Sequence, residues 1–112
     1  MKVSKPWGYE LIWANTPDYI GKILFIQGGE RLSLQHHAYK NESLYVQSGK
    51  VSIALEEKNG VFVEHILHPQ QSIHIPCGCK HRISAQEDSE LFEVSTPHLD
   101  DVIRHEDDYG RI

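Results

Sequence analysis

Residues 28–49 read GGERLSLQHHAYKNESLYVQSG and combine metal-binding side chains with the alternation of a β-strand. Gln35 and His37 stand two positions apart, so a strand would direct both side chains to the same face. Glu42 follows a short polar turn and begins the next apolar run. Since a hairpin at that turn would return Glu42 to the same interior, we predict that Gln35, His37 and Glu42 hold a metal ion together.

A second stretch, residues 75–82 with the sequence IPCGCKHR, supplies the fourth candidate ligand, His81. Four nitrogen and oxygen ligands suit one divalent Zn, Mn, Fe, Co or Ni ion and require no thiolate. His36 has the opposite strand parity to His37 and is expected to point outward, whereas His74 could face either way.

These two stretches resemble the two sequence motifs of the cupin superfamily. Gly-x6-Gln-x-His-x4-Glu-x6-Gly, which ends at Gly49, looks like the first motif with Gln in place of its first His. Pro76-x-Gly78-x-x-His81 looks like the second motif. The resemblance implies an all-β fold, namely the double-stranded β-helix or jelly-roll barrel of cupins, and a homodimer.

Three segments make the resemblance more specific, to one family within the cupins. Residues 5–8 (KPWG), the run from Arg31 to His37 and residues 100–111 are similar to the C-terminal cupin domain of type II phosphomannose isomerases. Those isomerases are often fused to mannose-1-phosphate guanylyltransferases. The similarity covers nearly the whole chain, although it departs from the family pattern at Lys40-Asn41, Ser43-Leu44 and Gln71-Ser72.

The bulk composition predicts one globular domain over residues 1–112, with a polar C-terminal tail from about residue 98. A net charge of −5 with scattered Lys and Arg gives no electrostatic footprint for nucleic acid. No apolar run approaches the roughly 20 residues of a membrane helix, and the N-terminus lacks the apolar core of a signal peptide. We therefore expect a cytoplasmic protein.

Short alternating runs separated by turn residues predict many β-strands and no helix. Asn59-Gly60 between two such runs is a strong hairpin signal. The tail is expected to form a helical turn or to lie across the barrel mouth. The predicted strands cover residues 7–13, 19–27, 32–36, 42–47, 51–56, 61–67, 72–75, 82–85 and 91–95.

The resemblance implies an aldose–ketose isomerase that acts on a sugar or sugar phosphate through an enediol(ate). A metal would stabilise the negative charge that develops on the substrate oxygens. The base that moves the proton between C1 and C2 is not identified by the sequence, and Lys22, Lys40 and Glu93 are the candidates. Arg104 would stabilise charge or grip a phosphate, because planar guanidinium matches phosphate oxygens. Arg104 and Arg111 are equally well explained as solvated partners of the acidic residues around them.

Two alternatives to the isomerase stay open. The chain could be a non-catalytic, metal-dependent cupin that binds a carbohydrate or another small ligand, or a dioxygenase that uses Fe with open coordination positions. Cys77 and Cys79 flank the second stretch, and a disulfide across one residue would be strained. They are interpreted as small residues packed in a tight loop rather than as metal thiolates.

Overall fold

The computed structural model describes residues 1–112, which form eleven β-strands and one 3₁₀ turn at Lys58–Gly60. No helix in it is long and apolar enough to cross a membrane. The strands are β1 (Lys2–Lys5), β2 (Gly8–Asn15), β3 (Ile20–Ile26), β4 (Leu34–His36), β5 (Glu42–Ser48), β6 (Val51–Glu56), β7 (Phe62–Leu67), β8 (Ser72–Ile75), β9 (His81–Ala85), β10 (Ser89–Ser95) and β11 (Ile103–Glu106).

Two antiparallel sheets face each other. One has six strands in the order β1-β2-β3-β10-β5-β8, and the other has five in the order β11-β4-β9-β6-β7. Alternation along each strand sends one set of side chains inward, and fourteen buried apolar residues form a continuous core between the sheets. This arrangement confirms the predicted all-β jelly-roll fold.

The tight turns follow from residues that tolerate a positive φ. Asn59 has φ 67° between β6 and β7, which pair as the Asn-Gly signal predicts. Gly49 has φ +89° after β5, and a Cβ there would lie 2.2 Å from Ser89 Oγ. Only glycine fits this turn, which connects β5 to β6 beside the start of β10.

The chain termini differ from the sequence-based expectations. Residues 2–5 form a strand, β1, that was not predicted, and it pairs with β2 in register from Lys2 to Lys5. The expected helical turn in the tail is wrong, because residues 103–106 form β11, which pairs with β4. Backbone pairing with an open sheet edge therefore determines the conformation of this polar segment. The part of the tail at residues 99–102 lines the mouth of the interior cavity, in line with the alternative expectation.

Candidate metal centre

A cavity of about 330 Å³ lies between the two sheets at one end of the barrel. All four predicted ligands, Gln35, His37, Glu42 and His81, line it. In the five-stranded sheet Gln35 is the register partner of His81 on one side and of Arg104 on the other. The cross-strand pairing of β11, β4 and β9 therefore gathers these three polar side chains at one cavity wall.

His37, Glu42 and His81 form a compact group of buried donors. One ligand atom from each lies within 4.8 Å of the other two. The Oε1 atom of Glu42 is 3.5 Å from Nε2 of His37 and 3.5 Å from Nε2 of His81. Thus two imidazoles and one carboxylate oxygen converge on a single point, although they come from different sheets.

The opposite nitrogen of each imidazole is fixed by a backbone carbonyl. His37 Nδ1 lies 2.5 Å from the carbonyl oxygen of Asp101, and His81 Nδ1 lies 2.9 Å from that of Cys79. A carbonyl oxygen only accepts, so Nδ1 carries the proton in both rings. In the neutral rings each Nε2 therefore presents a lone pair to the shared point, as metal-ligating histidines do.

Lys40 joins the carboxylate of this group to a second buried carboxylate. Its Nζ is 2.9 Å from Glu42 Oε2 and 3.0 Å from Glu93 Oε2. Both contacts are at ion-pair distance, but neither carboxylate oxygen has a partner with hydrogen-bond alignment. Oε1 of Glu42 faces the histidines while Oε2 faces Lys40, so the ion pair leaves one oxygen free for a metal.

The neighbouring strands extend this charged row. Lys22 on β3 is the register partner of Glu93 on β10, and both are buried. Lys22 Nζ lies 3.4 Å from Oε2 of Glu10 on β2. The predicted candidates Lys22, Lys40 and Glu93 are thus brought together in the same cavity as the histidines. Glu10, which the sequence did not single out, joins them because it faces inward in a half-buried strand.

Burial and neighbouring charges set opposite protonation tendencies for the two carboxylates. Burial, followed by the charge of Glu42, raises the pKa of Glu93 to about 7, against the attraction of Lys40 and Lys22. Burial also opposes ionisation of Glu42, but the contact with His37 and the charge of Lys40 outweigh it and lower the pKa of Glu42. One carboxylate therefore favours the ligand role, and the other is poised to exchange a proton near neutral pH.

Arg104 and Arg111 lie at the mouth of the cavity. Nε of Arg104 is buried and has no hydrogen-bond partner, so it is a free donor. Arg111 instead forms a salt bridge of 2.8 Å to Asp107, one of the acidic residues around it, but the Asp107 side chain is buried, so the pair is not a solvated one. Of the two arginines, Arg104 is the one whose guanidinium forms no salt bridge.

The remaining candidates lie outside this cluster. His36 faces away from the cavity, as expected, and its Nδ1 lies 2.7 Å from Nε2 of His105. His74 is exposed and contacts Asn41. Cys77 is exposed, and Cys79 directs its thiol to the carbonyl of Glu56 rather than to the histidines.

The donor set fits a divalent ion of the kind predicted from the sequence. Two imidazole nitrogens with available lone pairs and one carboxylate oxygen suit Zn, Mn, Fe, Co or Ni. Gln35 lies beside His81 in the same wall and offers an amide oxygen as a fourth, neutral ligand. His37, Glu42, His81 and Gln35 are the residues that would hold the ion.

Comparison with known proteins identifies the family. The family described as "Mannose-6-phosphate isomerase C-terminal" matches residues 1–107. The xanthan biosynthesis protein XanB of Xanthomonas campestris pv. campestris is 34% identical over 116 residues, covering 98% of this chain and 24% of that protein. The mannose-1-phosphate guanylyltransferase ManC of Salmonella typhimurium is 35% identical over 117 residues, covering 99% of this chain and 23% of that protein. The chain thus spans about a quarter of the length of these relatives.

Solved structures share the architecture. KdgF from a Halomonas species superposes with a TM-score of 0.78 at 24% identity, covering 89% of this chain and 88% of that one. The capsular polysaccharide assembling protein CapF of Staphylococcus aureus superposes with a TM-score of 0.83 at 22% identity, covering 95% of this chain and 31% of that one. At these identities the likeness concerns the fold. Together with the family match, it shows that the chain is a cupin-type domain that belongs to the mannose-6-phosphate isomerase C-terminal family.

Proposed function

We propose that this domain is a metal-dependent isomerase that interconverts an aldose and a ketose, with a sugar phosphate as substrate. The observation that carries the proposal is the placement of Lys40 and Glu93 in the same cavity as His37, Glu42 and His81. Metal ligands alone are compatible with many different functions and do not favour isomerisation. A buried acid–base pair beside them is what proton transfer between adjacent carbons requires.

Isomerisation moves a proton from C2 of the aldose to C1, while a hydroxyl proton passes from O2 to O1. Glu93 is the proposed base, because its pKa of about 7 allows it to accept the C2 proton near neutral pH and return it to C1. Lys40 and Lys22 face the cavity beside Glu93 and would balance the negative charge of the enediol(ate) as it forms. A bound divalent ion would supply polarisation of the substrate carbonyl and hydroxyl oxygens.

Family membership and the mouth of the cavity support a phosphorylated hexose. The family description names mannose 6-phosphate, and a relative acts as a mannose-1-phosphate guanylyltransferase according to its name. Arg104 has an unpaired, buried Nε at the mouth, where it would bind phosphate oxygens. Mannose 6-phosphate is therefore the first substrate to test.

A second candidate function is binding of a carbohydrate without turnover. It is favoured by the position of the Lys40 ammonium, which lies 2.9 Å from Glu42 and 3.0 Å from Glu93. A base that stays in an ion pair is less free to accept a proton. In this case the same cavity would hold the metal and bind a sugar without converting it.

Metal analysis and turnover measured on the same set of variants test both functions. We expect about one divalent ion per chain in protein purified without an affinity tag. His37→Ala and His81→Ala should lose it, whereas His36→Ala, a neighbour that faces outward, should keep it. Glu93→Gln should keep the metal and lower kcat for mannose 6-phosphate by about 10²- to 10⁴-fold, the usual contribution of a general base.

Each contrary result is informative. Protein that takes up no ion even after reconstitution would overturn the isomerase proposal. Protein that holds the metal and binds the sugar but turns none over would establish the binding function. Iron accompanied by O2 uptake would instead indicate dioxygenase chemistry.

A further inference from the structure

We infer that Asp101, in the C-terminal segment, is a positioning residue for the metal site, an inference that rests on the proposed metal-binding function. It does not touch the point where the donor atoms converge. Instead it holds the His37 ring with its backbone carbonyl and holds the turn between β4 and β5 with its carboxylate. One residue thereby orients the two adjacent ligand-bearing elements of the site.

The carboxylate of Asp101 closes the turn that carries the chain from His37 to Glu42. Its Oδ1 accepts the backbone N–H of Ala38 at 3.1 Å. Its Oδ2 accepts the N–H groups of Tyr39 at 2.7 Å and Lys40 at 2.8 Å. Three consecutive amides of the turn are thus bound by one side chain, which fixes the backbone between His37 and Glu42.

The carbonyl oxygen of the same residue fixes the imidazole. It accepts Nδ1–H of His37 at 2.5 Å, so in the neutral ring the lone pair is on Nε2, which lies 3.5 Å from Oε1 of Glu42. Partners of this kind select the tautomer and ring orientation of a metal-ligating histidine. A side-chain substitution at position 101 keeps the backbone carbonyl. It removes the carboxylate that binds this residue to the turn, so the carbonyl oxygen is no longer held against His37.

Asp101 can serve as an anchor because its own segment is held at both ends. Before it, Thr96 Oγ1 accepts the N–H of Asn41, which joins the tail to the start of β5. After it, β11 pairs with β4 between Ile103 and Glu106, with a shift in register between Arg104 and Glu106. Further along, Asp108 accepts hydrogen bonds from Arg31 and Arg82. The tail is therefore held in place by several contacts, and it in turn positions Gln35 through β-pairing and His37 through a hydrogen bond.

The ordinary alternative is that Asp101 is only a turn cap that stabilises the fold. Both roles predict a lower Tm for Asp101→Ala, so stability alone does not separate them. The ring of His37 does separate them, because a cap has no reason to alter its tautomer. His81 provides an internal control, since its Nδ1 is held by Cys79 and not by the tail.

The experiment compares the parent with Asp101→Ala, Asp101→Asn and the neighbouring control Asp100→Ala. In metal-free protein, ¹⁵N chemical shifts of the imidazoles report the tautomers of His37 and His81. In zinc titrations, calorimetry reports the Kd. For Asp101→Ala we expect loss of the single Nδ1–H tautomer at His37 but not at His81, and a zinc Kd about 10- to 100-fold higher, the usual effect of removing such a partner. Asp100→Ala should match the parent.

Asp101→Asn keeps one acceptor oxygen for the turn, so we expect an effect between those of the parent and Asp101→Ala. If Asp101→Ala does not fold, Asp101→Asn provides the measurement. An unchanged His37 tautomer and an unchanged zinc Kd in a folded variant would overturn the inference and leave Asp101 a cap. If the parent binds no zinc, the proposed metal function fails. Asp101 then has no metal site to position, and the ring signals of the metal-free proteins show only whether it orients His37.

Discussion

The two segments that carry the candidate ligands are organised in opposite ways. The first ligand segment, residues 34–42, bears Gln35, His37 and Glu42, and the carbonyl that orients His37 lies 64 positions away in the sequence. The second ligand segment, residues 76–81, bears His81, and the carbonyl that orients this ring lies two positions away. The His37 ring is oriented by a residue of the C-terminal tail, whereas the His81 ring is oriented by a residue of its own segment. The same chemical task, fixing an imidazole tautomer, is thus solved by long-range and by local contacts.

The two segments also differ in the lysine that each contains. Lys40 in the first is buried and faces two carboxylates, whereas Lys80 in the second is half-exposed and forms no salt bridge. The segments meet at the site, where Gln35 pairs with His81 and Glu42 Oε1 lies 3.5 Å from His81 Nε2, and at the backbone, where the N–H of Gly78 donates to the carbonyl of His37 at 2.7 Å. Since only the first segment contains a buried ion pair and depends on the tail, substitutions outside the ligands should affect stability more in the first segment than in the second.

The largest expected effect is that of Lys40→Met compared with Lys80→Met. Removing Lys40 leaves Glu42 and Glu93 buried without their cation, which should lower the free energy of unfolding by roughly 3–5 kcal/mol. Burial alone would lower the pKa of Lys40, but the charges of Glu93 and Glu42 raise it above its ordinary value of 10.5. Lys40 is therefore charged in both the folded and the unfolded protein at pH 7, and its stabilising effect is fully present there. Lys80→Met should change the free energy by no more than about 0.5 kcal/mol. Urea denaturation measures both, and equal losses would contradict the contrast drawn between the segments.

An intermediate effect is expected from the pH dependence of stability in Glu93→Gln. The pKa of Glu93 is raised from 4.5 to about 7 by burial and by Glu42, so between these values the folded protein holds a proton that the unfolded chain has released. By linkage, this carboxyl lowers the free energy of unfolding as the pH rises through that window. The parent should lose stability relative to Glu93→Gln between about pH 4.5 and about pH 7. The exposed control Glu87→Gln should follow the parent, and parallel curves for all three proteins would show that Glu93 titrates normally.

The smallest effects are expected in the second ligand segment. Gly78 has φ +80° with open space around it, so Gly78→Ala should cost only the backbone strain of about 1 kcal/mol. Cys79→Ala should leave the zinc Kd unchanged, because the acceptor for His81 is the backbone carbonyl and not the thiol. Chemical denaturation and zinc calorimetry measure the two effects. A large rise in the zinc Kd of Cys79→Ala would show that this segment is less self-contained than its hydrogen bonds indicate.

The sequence predicted best what depends on local spacing. The two-residue separation of Gln35 and His37 and the turn before Glu42 suffice to direct these side chains to one cavity, once the runs are assigned as strands. The alternation of short apolar runs likewise sufficed for the all-β fold. These features need only the period of a strand and the position of a turn.

What the sequence could not supply depends on register between distant strands. Lys22, Lys40 and Glu93 were only separate candidates, and their convergence follows from the pairing of β3 with β10 and from the position of the β4–β5 turn. Asp101 stood in an acidic tail, where a carboxylate is ordinarily a solvated residue. The two β-branched residues Val102 and Ile103 were the one local sign of β11, and this run is too short to outweigh the polarity of the tail.

The three amides that donate to Asp101 have a consequence for hydrogen exchange. Most backbone amides in the sheets are protected by neighbouring strands, but those of Ala38, Tyr39 and Lys40 are protected by one side chain from the tail. Their exchange should follow detachment of that segment rather than global unfolding. The exchange rates of these three protons would therefore report how often the tail detaches while the rest of the barrel stays folded.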